Sequence, residues 1–251
     1  MKKHVFTLMI LFGILILSAC ALENAVSQDT RTYTAASDIH SLDIQINAAD
    51  LTIEQGNEFA VVSNLKYLSV SESNGTLKIL DTARPNSHYT DAVLTLYIPK
   101  GTVFDHVSIE TGAAKMTVDT LSAGSVELEL GAGDVFIASI HVTRKIDIDG
   151  GVGTITIADG VLNNLDAEIG VGELDLTAEL SGRNDFSFGV GDADLTLVGS
   201  RDDYQLDIEK GLGSITIDGE PLSGFSGPVS AQDQIEIECG IGDVNITFQK
   251  K

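Results

Sequence analysis

The stretch Leu130-Gly131-Ala132-Gly133-Asp134-Val135-Phe136-Ile137 decides the fold, because the chain keeps returning to it. It recurs as GVGTITI from Gly151, GVGELDL from Gly170, GVGDADL from Gly189, GLGSITI from Gly211 and GIGDVNI from Gly240. Successive first glycines stand 20, 19, 19, 22 and 29 residues apart. A weaker copy, TGAAKMTV, has its glycine at Gly112, and INAADLTI around Asn47 reads as a degenerate one. Self-similarity at a fixed period of about 20 residues marks a repeat architecture.

Each repeat has the same internal phase. Apolar residues fall five, three and one before the first glycine, as in Val126, Leu128 and Leu130 or Leu165, Ala167 and Ile169. The residue between the glycines is apolar too: Ala132, Val152, Val171, Val190, Leu212 and Ile241. After the second glycine the alternation slips by one, so that Val135 and Ile137 return to the apolar side. Period two argues strands, and no window has the 3.6-residue period of an amphipathic helix. The pattern predicts a strand that runs inward-facing through the middle residue, bends at the second glycine and restarts. Glycine suits such a corner because it tolerates positive φ and close backbone approach. The corners are Gly131 with Gly133, Gly151 with Gly153, Gly170 with Gly172, Gly189 with Gly191, Gly211 with Gly213, and Gly240 with Gly242.

Two architectures use such a unit. A meander of hairpins would place G-x-G at exposed tips and turn Val152, Val171 and Leu212 into water. A β-solenoid makes each repeat a coil whose corner residue packs on its equivalents above and below. The apolar corner favours an all-β, single-stranded β-solenoid with coils of about 19 to 20 residues. Residues 38–110 then form an N-terminal β region with capping coils, and 111–251 the regular repeats. The 29-residue gap holds GEPLSGFSGPVSAQDQ, rich in Gly, Pro and Ser, which reads as a loop inserted near 219–234.

The repeated inward strand with its G-x-G-D-like corner, and VLTLYIPKGTVFDHVSIETGAAKMTV leading into the first coil, resemble a bacterial family. It comprises β-strand-repeat domains of unknown function usually labelled "putative adhesin". The resemblance spans roughly Asp38 to Phe248. It implies a surface β-helix with no established reaction, and it supplies no catalytic residues to carry over. This chain departs from the pattern in its acidity and in placing Val, Leu or Ile where a small polar corner residue is usual.

The first residues belong to targeting, not to the fold. Lys2 and Lys3 precede an apolar run from Val5 to Leu17, too short to span a bilayer as a helix and suited to the core of a signal peptide covering 1–19. The ending Leu17-Ser18-Ala19-Cys20 resembles the lipobox of bacterial lipoproteins. That resemblance implies lipidation of Cys20, a polar tether over 20–37 and anchorage to the extracytoplasmic side of a membrane in the cell envelope. Cys239, on the apolar phase of its strand, then has no disulfide partner.

At 251 residues and 43% apolar, the chain has enough material for a core. Its 15 basic against 37 acidic residues give a net charge of -22. Loss of 1–19 leaves 13 against 37, or -24. Such a protein repels nucleic acid and anionic headgroups, so electrostatic partners are cationic or cation-bridged envelope components.

The acids are placed with regularity. Positions four and two before each first glycine hold Glu127 and Glu129, Asp147 and Asp149, Asp166 and Glu168, Asp185 and Ser187, Asp207 and Glu209, and Glu236 and Glu238. In stacked coils these carboxylates lie about 4.8 Å apart up the stack. Facing like charges oppose folding by roughly 0.8 kcal/mol per pair in water. Two readings follow: a surface that collects divalent ions such as Ca²⁺ weakly, or a solvated face that needs no ligand.

Signals for catalysis are sparse. His40, His88, His106 and His141 are scattered and fit no metal spacing, and neither G-x-G-x-x-G, a phosphate loop nor G-x-S-x-G occurs. The expectation is a non-enzymatic, lipid-anchored envelope module in adhesion or scaffolding. The alternative is a polysaccharide-active β-helix lyase or hydrolase, for which a ladder of acids offers many carboxylate spacings. Against it, the chain has no Trp and few Tyr to stack on sugars.

Overall fold

The alternating sequence becomes strand almost throughout. The computed structural model describes residues 30–35, 38–84, 91–222 and 231–250. The expected signal peptide over 1–19, Cys20, most of the expected tether, His88 and much of the loop expected near 219–234 lie outside these residues. Among the described residues the helical element is one 3-10 turn, Arg201–Asp203. The fold is all-β.

Strands from successive repeats lie side by side, parallel and in register. Ile146 pairs with Val126 on one side and Leu165 on the other, and Ile148 with Leu128 and Ala167. These partners are buried, so inward positions form continuous apolar stacks that run from repeat to repeat. This is why period two persists for so long. Each residue that faces inward meets its own equivalent in the neighbouring layer, so one pattern serves every repeat. The stretch after the corner stacks in the same way: Val135 on Met116, Ile155 on Leu174, and Ala193 on Leu174. The degenerate copy at Asn47 joins the ladder beneath TGAAKMTV, with Ile46 beside Thr111 and Leu51 beside Met116.

The layers do not stack in chain order. Ser41–Ile46, the first layer strand, lies between Thr76–Asp81 and Phe104–Ala113. At the other end Asp233–Ile241, the last layer strand, lies between Arg183–Val190 and Tyr204–Leu212. The first and the last layer strands are therefore each threaded one layer inward. The second and the penultimate repeats form the outer layers, and antiparallel strands cover them. Leu68–Ser73 pairs with Thr76–Asp81, Ala60–Ser63 with Val93–Pro99, and Glu220–Pro221 with Ile215–Ile217. Short antiparallel partners of this kind protect edges that would otherwise template pairing with another chain. Asn184, fully buried, stitches the inserted layer in place. Its side-chain oxygen accepts from the Leu165 N–H at 3.1 Å, and its amide donates to the Gln234 carbonyl at 3.1 Å.

One expectation about the corner needs correction. Val152, Val171, Val190, Leu212 and Ile241 do not face inward: they are 46 to 71% exposed, and Ala132 is exposed as well. They do stack on their equivalents, Val152 on Val171 and Val190 on Ile241, but on the outside of the bend. The reason is the tightness of the turn. A Cβ on Gly172 would lie 1.8 Å from the Gly153 carbonyl oxygen, and one on Gly170 would lie 2.8 Å from that of Gly151. Backbone packs on backbone inside the corner, so the residue between the glycines projects away. The expectation of positive φ holds for the second glycine of each pair, with Gly172 at +154° and Gly191 at +148°.

Candidate functional site

The outward positions of the stacked strands form the acidic face. Along its first column the register runs Glu127, Asp147, Asp166, Asp185, Glu236, Asp207, the last two exchanged relative to chain order. The second column runs Glu129, Asp149, Glu168, Ser187, Glu238, Glu209 in the same register. Glu110 extends the second column beside Glu129, while Ser108 stands beside Glu127 in the first. All the acids singled out in the sequence therefore meet on one face, held there by strand registry.

The first column carries its own cations. Lys145 Nζ lies 2.5 Å from Asp147 and 3.9 Å from Asp166, so it spans two layers. Arg183 binds Asp185 at 3.1 Å through Nε and Glu236 at 2.6 Å through its terminal nitrogen, which ties the inserted layer to its neighbour. Lys78 reaches Asp43 at 2.6 Å. The hydrogen bond to Asp147 holds the Lys145 ammonium above its ordinary pKa, and Asp185 does the same for Arg183. Sequence reasoning passed over these bases, although the signal was there. Lys145 and Arg183 each stand two residues before a column acid, and on a strand that spacing puts both on one face.

Beside the second column a groove of about 600 Å³ follows the corner. Glu110, Glu129, Asp149 and Glu168 line it together with Gly131, Gly151, Gly170 and Gly189, each of these glycines but the last standing two residues after one of the acids. Beyond the corner a third acidic series begins, with Asp134, Glu173, Asp192 and Asp243 each directly after the second glycine. Asp243 accepts the Ser214 hydroxyl and N–H at 2.7 Å each, and these bonds hold its carboxyl below the usual range. Among the described residues no three His, Cys, Asp or Glu side chains converge to hold a metal ion. A parallel ladder spreads its carboxylates in a line, whereas a cage needs them to converge on a point.

The remaining candidates lie apart. His40 pairs with Asp105 at 3.2 Å near one end, and His106 and His141 are exposed. Cys239 is buried, and desolvation pushes its thiol up, helped by the nearby charges of Asp192 and Asp243. Tyr204 is buried against Phe248, with ring centres 5.9 Å apart.

The family model described as Toastrack DUF4097 matches residues 39–247. No curated protein matches the chain. Among solved structures, the chain is similar to a "putative cell adhesion protein" from Clostridium sporogenes, at 12% identity over 88% of this chain and 99% of that one, with a TM-score of 0.39. It is also similar to a "putative adhesin" from Parabacteroides distasonis, at 15% identity over 86% and 96%, TM-score 0.43. A "putative lipid binding protein" from the same organism matches at 14% identity over 87% and 96%, TM-score 0.36.

Proposed function

The chain belongs to the Toastrack DUF4097 family, and on that premise we propose that it is a non-enzymatic β-solenoid of the bacterial cell envelope. Cys20 carries its lipid anchor, and the acidic face serves adhesion or scaffolding. The observation that carries this reading is the acidic ladder. The same pair of outward carboxylates returns in layer after layer, in strict register, at Glu127 and Glu129, Asp147 and Asp149, and Asp166 and Glu168. A repeated surface of this kind suits extended, multivalent contact with cationic or cation-bridged envelope material more than it suits the turnover of one substrate.

The experiment has two arms. Cells expressing the wild-type chain should incorporate a palmitate analogue into it and retain it with membranes, whereas Cys20→Ala should remain unlabelled; equal labelling removes the anchor. Separately, the purified Cys20→Ala chain should sediment with isolated envelopes in millimolar Ca²⁺ and be released by a chelator. A chain that stays in the supernatant under both conditions would remove the cation-bridged contact.

A further inference from the structure

The corner residues that point into water stand in one line. Of the ten large apolar side chains exposed among the described residues, Val152, Val171, Val190, Ile241 and Leu212 form a single column in consecutive layers. Ala132 continues it toward the other end. A single exposed apolar residue needs no explanation, but a continuous ridge of five does. The ridge is bordered by carboxylates on both sides. Glu168 and Glu238 stand three residues before their ridge residues, and Glu173, Asp192 and Asp243 stand two residues after theirs. On the first of these sides, the groove of about 600 Å³ runs alongside.

We propose that this ridge is a docking site for an amphipathic helix whose apolar stripe is flanked by Lys and Arg. The proposal goes beyond the envelope reading above and holds with or without the lipid anchor. Charge decides the flanks: basic side chains on either side of the stripe meet Glu168 and Glu238 on one border and Glu173, Asp192 and Asp243 on the other, and the groove gives the longer ones room. Spacing decides the helix. Layers are about 4.8 Å apart, and an apolar stripe with one contact at each of i, i+3, i+7 and i+10, a mean spacing of about 3.5 residues, advances about 5.2 Å per contact. From Val152 to Leu212 the mismatch accumulates to under about 2 Å, within the reach of side-chain adjustment. A strand laid along the ridge would present one face only every 6.6 to 6.8 Å or so and would fall out of step within two layers.

The other occupants fit poorly. A lipid surface would have to take up the bordering carboxylates along with the valines. A second copy set ridge to ridge would bring like-charged borders together.

The test uses the full-length Cys20→Ala chain and two labelled peptides of about 18 residues, long enough to span the ridge as a helix. Both have the same composition of Leu, Lys and Ala. One carries a leucine stripe with lysines on either side, and the other is its scrambled isomer. Fluorescence anisotropy in about 150 mM NaCl, where exposed charges are screened beyond roughly 8 Å, should show the striped peptide binding at least about tenfold more tightly. The triple variant Val171→Ser, Val190→Ser, Ile241→Ser should lose that preference while keeping its melting temperature. Equal affinity for the two peptides would overturn the proposal, since charge alone would then account for binding. A preference that survives in the triple variant would overturn it too. So would ridge variants that abolish self-association in sedimentation, or that abolish binding to phosphatidylcholine vesicles, without changing peptide affinity. The palmitate labelling arm is independent, so failure here and failure of the anchor are told apart.

Discussion

A methyl group added to Gly191 would stand 1.6 Å from the carbonyl oxygen of Gly172, at a backbone φ of +148°. No rotamer relieves that clash, because the contact is with backbone and the Cβ itself is at fault. Gly172→Ala and Gly191→Ala should each cost more than about 3 kcal/mol by denaturant unfolding, from positive-φ strain together with displacement of the stacked layer. One residue away the expectation reverses. Val171 and Val190 are about half exposed, so Val171→Ser should stay within about 0.5 kcal/mol of the parent. A loss for Val171→Ser on the scale of a core truncation would return the corner residue to the interior. The contrast between neighbouring positions is the sharpest test of which way the bend faces.

At the scale of the element, the test is layer order. Ser187 pairs with Glu238, and Glu238 with Glu209, so Ser187 and Glu209 stand two layers apart although they are closer in sequence. With Cys20 and Cys239 replaced by alanine, the pair Ser187→Cys and Glu238→Cys should close a disulfide on mild oxidation, since adjacent strands fall within the reach of the bond. The pair Ser187→Cys and Glu209→Cys, separated by about 9.6 Å, should not. Mass spectrometry of the non-reduced protein reads the outcome, and a bond only in the second pair would restore chain order. The threading has a physical rationale. A strand at the end of a stack has one partner, and the ends of a chain fray most easily. Placing the first and last layer strands one layer inward gives each two partners and leaves the outer positions to strands continuous with the chain on both sides.

At the scale of the whole molecule the dominant fact is charge, with a formal net of -22. The Lys145 and Arg183 pairs fall on the first column, and they are exposed enough that each contributes little to stability. The second column, with Glu129, Asp149 and Glu168 in adjacent layers, faces the groove. Monovalent salt should therefore raise the melting temperature by screening. A bridging divalent ion should add a term that grows with its concentration. Millimolar Ca²⁺ should stabilise the protein more than NaCl at matched ionic strength, and the double variant Asp149→Asn, Glu168→Gln should lose the difference. Equal shifts with the two salts would leave a solvated face and no ion bound.

Legible in the order of residues is what repeats: the strand phase, the corner glycines, the slip of alternation after them and the acid columns. Each depends on near neighbours in the chain, and stacking identical units turns one local pattern into the whole core. What depends on neighbours across the fold is not written in that order. The exposure of Val152 and Val171 was hidden because apolar alternation records which residues are apolar, while the side of a bend they occupy is set by how closely the glycine backbones approach. The order of the outer layers was hidden too. A 29-residue step from Gly211 to Gly240 looks the same in sequence whether it makes a loop and climbs outward or turns back to fill a place left between two layers. Equivalent repeats offer equivalent edges, so local pattern cannot rank them, and only the completed set of pairings does.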